Sequence, residues 1–212
     1  MYSLMMLSLA VVLASGAAGR PRAADTLKIV ALGDSLTSGH GIGKSQAYPA
    51  VLERSLREAN LPFTVVNHGV SGDTTAGGVR RIEAALAENP DILILALGAN
   101  DGLRGVPVPA VRRNLEQAIE AAQARGVRVL LCGMDALPLY GWQYTMDFHQ
   151  IYPELAAKYN VPLVPFLLAG VVANQAMLLP DMVHPNAAGA RAIAANIFPY
   201  LQELAAGLVA TS

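Results

Sequence analysis

The chain has 212 residues, 53% of them hydrophobic and 15% charged, with a formal net charge of -1 at pH 7. That length suits one domain around one core, and the apolar fraction excludes the disordered and fibrous classes. A near-neutral chain lacks the clustered Lys and Arg that nucleic-acid binding draws on, so no nucleic-acid partner is expected.

Residues 1–24 read as a signal peptide. Met1 to Gly19 carry no charged side chain, and the apolar run Leu4 to Ala14 has the length of an h-region but is short for a membrane span. Small residues follow at Ser15 to Ala18 and at Ala23 and Ala24, which places cleavage between Gly16 and Ala24 and leaves no stable membrane span afterwards. A periplasmic or secreted domain over 25–212 is expected. No basic residue precedes the apolar run while Arg20 and Arg22 follow it, an order that keeps an uncleaved N-terminal anchor open as the alternative.

Along that domain, short apolar runs recur at Leu27 to Leu32, Phe63 to Val66, Ile92 to Leu97, Val127 to Leu131 and Pro162 to Pro165, each too short for a helix. Longer stretches with helical spacing lie between and after them, at Tyr48 to Glu58, Thr74 to Glu88, Val108 to Arg125, Tyr144 to Tyr159 and Ala187 to Leu208. Continuously apolar strands alternating with helices predict an α/β fold: a five-stranded parallel sheet, doubly wound, in three α/β/α layers. Gly33, Gly69 and Gly98 mark the carboxyl ends of the first three strands, where open α/β sheets bind ligands. The single cysteine, Cys132, closes a strand run and reads as a small buried residue.

One motif is set aside on spacing. Gly43-Lys44-Ser45 resembles the end of a phosphate-binding P-loop, but the first glycine of that motif falls on Ser38, and the strand before it ends too early.

Four clusters at or after strand ends carry the chemistry: Gly33-Asp34-Ser35-Leu36, Gly69-Val70-Ser71-Gly72-Asp73, Gly98-Ala99-Asn100-Asp101 and Asp181-Met182-Val183-His184-Pro185. Together they hold a nucleophile (Ser35), a base (His184), a carboxylate to orient the base (Asp181) and oxyanion donors: the Ser35 and Gly72 backbone N–H groups and the Asn100 amide. Taken singly, each has a plainer reading. Ser35 fits a helix N-cap, Asp181 a cap beside a surface histidine, and Gly72 and Asn100 fit turns.

In order, these four blocks resemble the signature of the SGNH hydrolases, also called GDSL esterases, and within them the bacterial thioesterase I/protease I/lysophospholipase L1 branch with its arylesterase relatives. Ala99 stands where relatives often have glycine. The resemblance spans about Ala31 to Asn186 and implies a flavodoxin-like sheet order, no metal and no cofactor. It also implies hydrolysis of small-molecule acyl ester, thioester or aryl ester substrates through an acyl-enzyme on Ser35. A carbohydrate acetylesterase of the same family is the alternative, with a silent binding domain on the same fold behind it. Leu103, Trp142, Met177, Leu178 and Leu179 are the expected acyl contacts, set against an ordinary core role for each.

Overall fold

The computed structural model describes residues 27–210; residues 1–24, expected from the sequence to be a signal peptide, lie outside them. Five strands form one sheet: β1 (Leu27–Gly33), β2 (Phe63–Gly69), β3 (Ile92–Ala96), β4 (Arg128–Cys132) and β5 (Leu163–Val164). Every pairing is parallel and the order is β2-β1-β3-β4-β5, the flavodoxin-like arrangement. Residues 29–33 of β1 and all of β3 are buried, which is why these strands read as unbroken apolar runs.

Among the described residues seven α-helices surround the sheet: α1 (Ser35–Ser38), α2 (Tyr48–Glu58), α3 (Thr75–Leu86), α4 (Ala99–Arg104), α5 (Val108–Gln123), α6 (Trp142–Tyr159) and α7 (Ala187–Val209). On one face of the sheet α2 packs against α7; on the other α5 sits between α3 and α6. The apolar stripe of each helix meets the sheet, as with Leu52 and Leu56 of α2, Ile82 and Leu86 of α3, and Leu115 and Ile119 of α5, all buried. Among the described residues α7 alone is long and apolar enough to cross a bilayer, yet Ile193, Ile197 and Leu201 are buried in the core.

The differences from the sequence expectation have local causes. β2 continues through Asn67 and His68 to Gly69, because an edge strand keeps its ladder to β1 without an apolar run. β5 shrinks to two residues between Pro162 and Pro165, which have no N–H to offer a ladder. The one-turn α1 and the six-residue α4 are too short to show helical periodicity. α6 starts at Trp142, ahead of the Tyr144 expected.

The chain reverses across the sheet between β1 and β3, so the loops after these adjacent strands splay apart and open a crevice at their carboxyl ends. Gly33 ends β1 because nothing larger fits: a Cβ there would fall 1.9 Å from Thr37 Oγ1 and 2.8 Å from the Ala96 carbonyl oxygen. That contact lets the chain turn directly from β1 into α1.

Candidate active site

Ser35 is the first residue of α1, and the helix is capped by Asp34, whose Oδ1 accepts from the Leu36 N–H at 2.9 Å. The capping role that a serine after a strand ordinarily fills is taken by its neighbour, so the Ser35 hydroxyl is free for another use. His184 Nε2 lies 3.1 Å from Ser35 Oγ, across 149 residues of chain. On the other edge of the ring, His184 Nδ1 lies 2.8 Å from Asp181 Oδ2. The result is a continuous hydroxyl, imidazole and carboxylate relay.

The loop holding the imidazole is built as a small hairpin. Leu178 bridges Pro185 in antiparallel fashion, the Leu179 N–H donates to the His184 carbonyl at 2.7 Å, and the Asn186 N–H donates to the Met177 carbonyl at 2.9 Å. Asn186 also donates from Nδ2 to the Ala176 and Leu178 carbonyls and caps α7 through Oδ1. Within the loop, Asp181 Oδ1 accepts from the Val183 and His184 N–H groups, each at 2.9 Å. The His184 and Val183 N–H bonds, followed by the bond with the imidazole, hold the Asp181 carboxyl well below the usual carboxylate range, so it is ionised throughout the working pH range. A fixed carboxylate at Nδ1 keeps that nitrogen protonated and leaves the Nε2 lone pair facing the serine.

Two loops bring the candidate oxyanion donors alongside. Asn100, in the first turn of α4, donates from Nδ2 to Asp34 Oδ2 at 3.2 Å, which anchors its amide beside the nucleophile turn and leaves a second amide hydrogen. Asp34 is fully buried, and burial raises its carboxyl from 3.8 to about 6 against the opposing bonds from Leu36 and Asn100. Gly72 has φ +79, in the left-handed region, and its carbonyl accepts from Arg104 at 2.9 Å. Among the described residues the Ser35 and Gly72 N–H groups donate to no protein acceptor.

The Gly72 loop is fastened to the nucleophile turn by the Val70 N–H to the Gly33 carbonyl, and by Ser71 Oγ to Ser38 Oγ at 3.1 Å. Arg81 braces it from below. Its guanidinium donates to Asp73 and to the His68 and Gly33 carbonyls, tying the ends of β1 and β2 to the loop. A third brace joins α3 to α4: buried Asp101 accepts from the Thr75 N–H at 2.8 Å and its hydroxyl at 2.7 Å, and Asn114 donates to the same hydroxyl. Asp34, Arg81, Thr75, Asp101 and Asn114 escape sequence reasoning, because each acts through a contact between distant loops. Asp34 and Asp101 alone carry a signal, as acidic residues beside the Ser35 and Asn100 positions.

The expected acyl contacts divide. Leu103 is half-exposed on α4, three residues beyond Asn100, with its carbonyl accepting from Tyr140 Oη. Leu179 reaches Gly41 and borders the His184 loop. Met177 and Leu178 pack against the core while their backbone holds the His184 hairpin. Trp142 opens α6 with 71% of its surface exposed. Two open depressions elsewhere, around Pro90 and Val127 and around Arg128 and Val161, lie at the amino ends of β3 and β4 and contain no serine, histidine or cysteine. The chemistry, not the concavity, places the site at the carboxyl ends.

Known proteins share this arrangement of chain and fold. Residues 31–192 match the model of the GDSL-like lipase/acylhydrolase family. The chain is 39% identical over 183 residues to Esterase TesA of Pseudomonas aeruginosa, covering 86% of this chain and 90% of that protein. It is 37% identical over 168 residues to thioesterase 1/protease 1/lysophospholipase L1 of Escherichia coli K12, covering 79% and 78%. A crystal structure of TesA superposes with a TM-score of 0.79 at 38% identity, covering 84% of this chain and 99% of that one. With its four blocks set on the same parallel sheet and a family match over most of its length, the chain belongs to the GDSL-like lipase/acylhydrolase family.

Proposed function

We propose that Ser35, His184 and Asp181 are the catalytic triad of this serine esterase and that Ser35 N–H, Gly72 N–H and Asn100 Nδ2 form its oxyanion hole. The observation that carries the reading is the 3.1 Å approach of His184 Nε2 to Ser35 Oγ with Asp181 behind the ring. Ser35 Oγ attacks the acyl carbon as His184 takes its proton, and the oxyanion forms against the three donors. His184 returns that proton to the leaving alcohol or thiol, giving the acyl-enzyme. Water, deprotonated by His184, then releases the acid and frees Ser35.

Substrates of the acyl ester, thioester and aryl ester classes fit this site better than acetylated sugars. The exposed rim at the carboxyl ends carries Val70, Leu103, Leu137, Leu139, Met182 and Val183 among its polar residues, apolar surface that favours acyl and aryl groups over polyhydroxylated ones. Export of a domain starting near residue 25 is the matching location, supported by the Leu4 to Ala14 apolar run and its small-residue flank.

The test is a kcat/KM panel over acyl-CoAs, p-nitrophenyl esters, lysophospholipid and acetylated xylose, run on the wild type and on Ser35→Ala. The expected result is preference for the acyl or aryl substrates and loss of at least about 10⁴-fold in kcat for the variant, with the melting temperature nearly unchanged. Wild-type turnover by Ser35→Ala removes the nucleophile; preference for acetylated xylose moves the enzyme to the acetylesterase class.

A further inference from the structure

His40 has no part in the relay, yet it stands against it. Its backbone N–H donates to the Ser35 carbonyl at 3.1 Å, so the turn that presents the nucleophile also presents this imidazole. The His40 ring centroid lies 4.3 Å from that of His184, at a 41° tilt. One donor atom each from His40, His184 and Asp181 falls within 4.8 Å of the other two, and the His40 side chain is exposed.

Two imidazoles and a carboxylate are a donor set that suits zinc and its neighbours and not magnesium or calcium, which take oxygen ligands. Bonds of about 2.0–2.2 Å around a tetrahedral ion put donors roughly 3.4 Å apart. The donors already lie within 4.8 Å of one another, with His40 and Asp181 exposed and His184 partly so.

We propose that His40, His184 and Asp181 form a binding site for a zinc-like divalent cation, and that its occupation switches the hydrolase off. Asp181 lies on the Nδ1 edge of the His184 ring, so a cation that the two share sits on Nδ1. A neutral imidazole has a single basic nitrogen. A cation on Nδ1 drives the ring proton to Nε2 and leaves no base toward the serine. Occupation only moves a proton between the two ring nitrogens, so removing the cation restores activity.

The inhibitory part rests on His184 being the base; the binding part does not. Chelator-treated enzyme is assayed on a p-nitrophenyl ester across buffered Zn²⁺ concentrations, each variant normalised to its own metal-free rate. The expected result is inhibition of the wild type that is reversed by EDTA and not produced by Mg²⁺, with half-inhibition moved to at least tenfold higher Zn²⁺ in His40→Ala. In parallel, Zn²⁺ binding is measured by calorimetry on Ser35→Ala with His149→Ala and His68→Ala added to remove the other two histidine-carboxylate pairs; one site per chain is expected, and it is lost when His40→Ala is added. Equal zinc sensitivity of wild type and His40→Ala, or calorimetric binding indifferent to His40, overturns the proposal. If the metal-free wild type hydrolyses no ester, the triad reading fails instead, and calorimetry alone decides the binding site.

Discussion

Two aspartate-histidine pairs sit at the carboxyl end of this sheet, and by distance they are twins. His184 Nδ1 is 2.8 Å from Asp181 and His149 Nδ1 is 2.7 Å from Asp135. Their surroundings separate them. Asp181 is locked by two backbone N–H groups, while Asp135 accepts from His149 alone among the described residues. The His184 side chain is 23% exposed and its far nitrogen meets a serine hydroxyl; that of His149 is 53% exposed on the outside of α6 and meets none. An imidazole beside a carboxylate is thus common equipment. On the proposed reading, what makes one a base is a fixed carboxylate on one side, a nucleophile on the other and donors ready for the charge that follows.

The comparison breaks most sharply at Asp181→Asn. The amide oxygen can still accept from Val183 and His184, so the loop keeps its shape, but an NH₂ then faces Nδ1 and drives the imidazole proton to Nε2. The expected loss in kcat approaches 10⁴-fold, as roughly found for such a tautomer reversal, with near-wild-type melting; a loss under tenfold would mean the carboxylate does not set the tautomer.

Next in size is Asn100→Ala. Removing one oxyanion donor costs about 10²- to 10³-fold in kcat, and KM should move far less, because the bond is made to the tetrahedral intermediate and not to the ground state. A change confined to KM would place Asn100 in substrate binding instead.

Asp34→Asn tests how that donor is aimed. An amide at position 34 turns an NH₂ toward Asn100 Nδ2, and two facing donors force the Asn100 side chain to flip its oxygen inward and its hydrogens away from the nucleophile turn. The expected cost is about ten- to a hundredfold in kcat, a fraction of the full donor loss. Stability should move the other way. The folded carboxyl at about 6 binds its proton more tightly than the unfolded one at 3.8, so the stability Asp34 contributes is complete below pH 3.8 and drains away as pH rises through 6. The amide in the variant does not titrate and has no such dependence. Urea melts should therefore show the variant gaining on wild type between about pH 4 and pH 7 and no further above it; a constant difference would mean Asp34 titrates normally.

Much of this was legible in the sequence, and the boundary is physical. The buried strands announce themselves because a sheet covered on both faces needs unbroken apolar runs, and the helices because Leu52 and Leu56 or Ile82 and Leu86 must fall on one face. The residues of the four blocks are legible as types at strand ends. What binds them is not. Arg81 looks like any helix-surface arginine until β1, β2 and the Gly72 loop converge on it. His40 gains meaning only from a ring far along the chain, and the Met177 to Leu178 stretch that reads as an acyl contact serves through its backbone, which sequence patterns do not reveal.

The smallest effect is expected at the twin pair. Asp135→Asn removes the charge from a contact as short as the one behind His184, so if a carboxylate at that distance had catalytic or structural worth in itself, this substitution would reveal it. Both side chains are close to half-exposed, and exposed ion pairs contribute about 0–1 kcal/mol. Neither nitrogen of His149 faces Ser35 or its donors. The variant should therefore hydrolyse esters within about twofold of wild type and unfold within about 0.5 kcal/mol of it, the usual range for surface substitutions. A larger fall in kcat would show that the loop after β4, where Ala136 packs on Gly102 of α4, transmits the Asp135 contact to the Asn100 donor, and the two pairs would then differ in distance from the chemistry and not in kind.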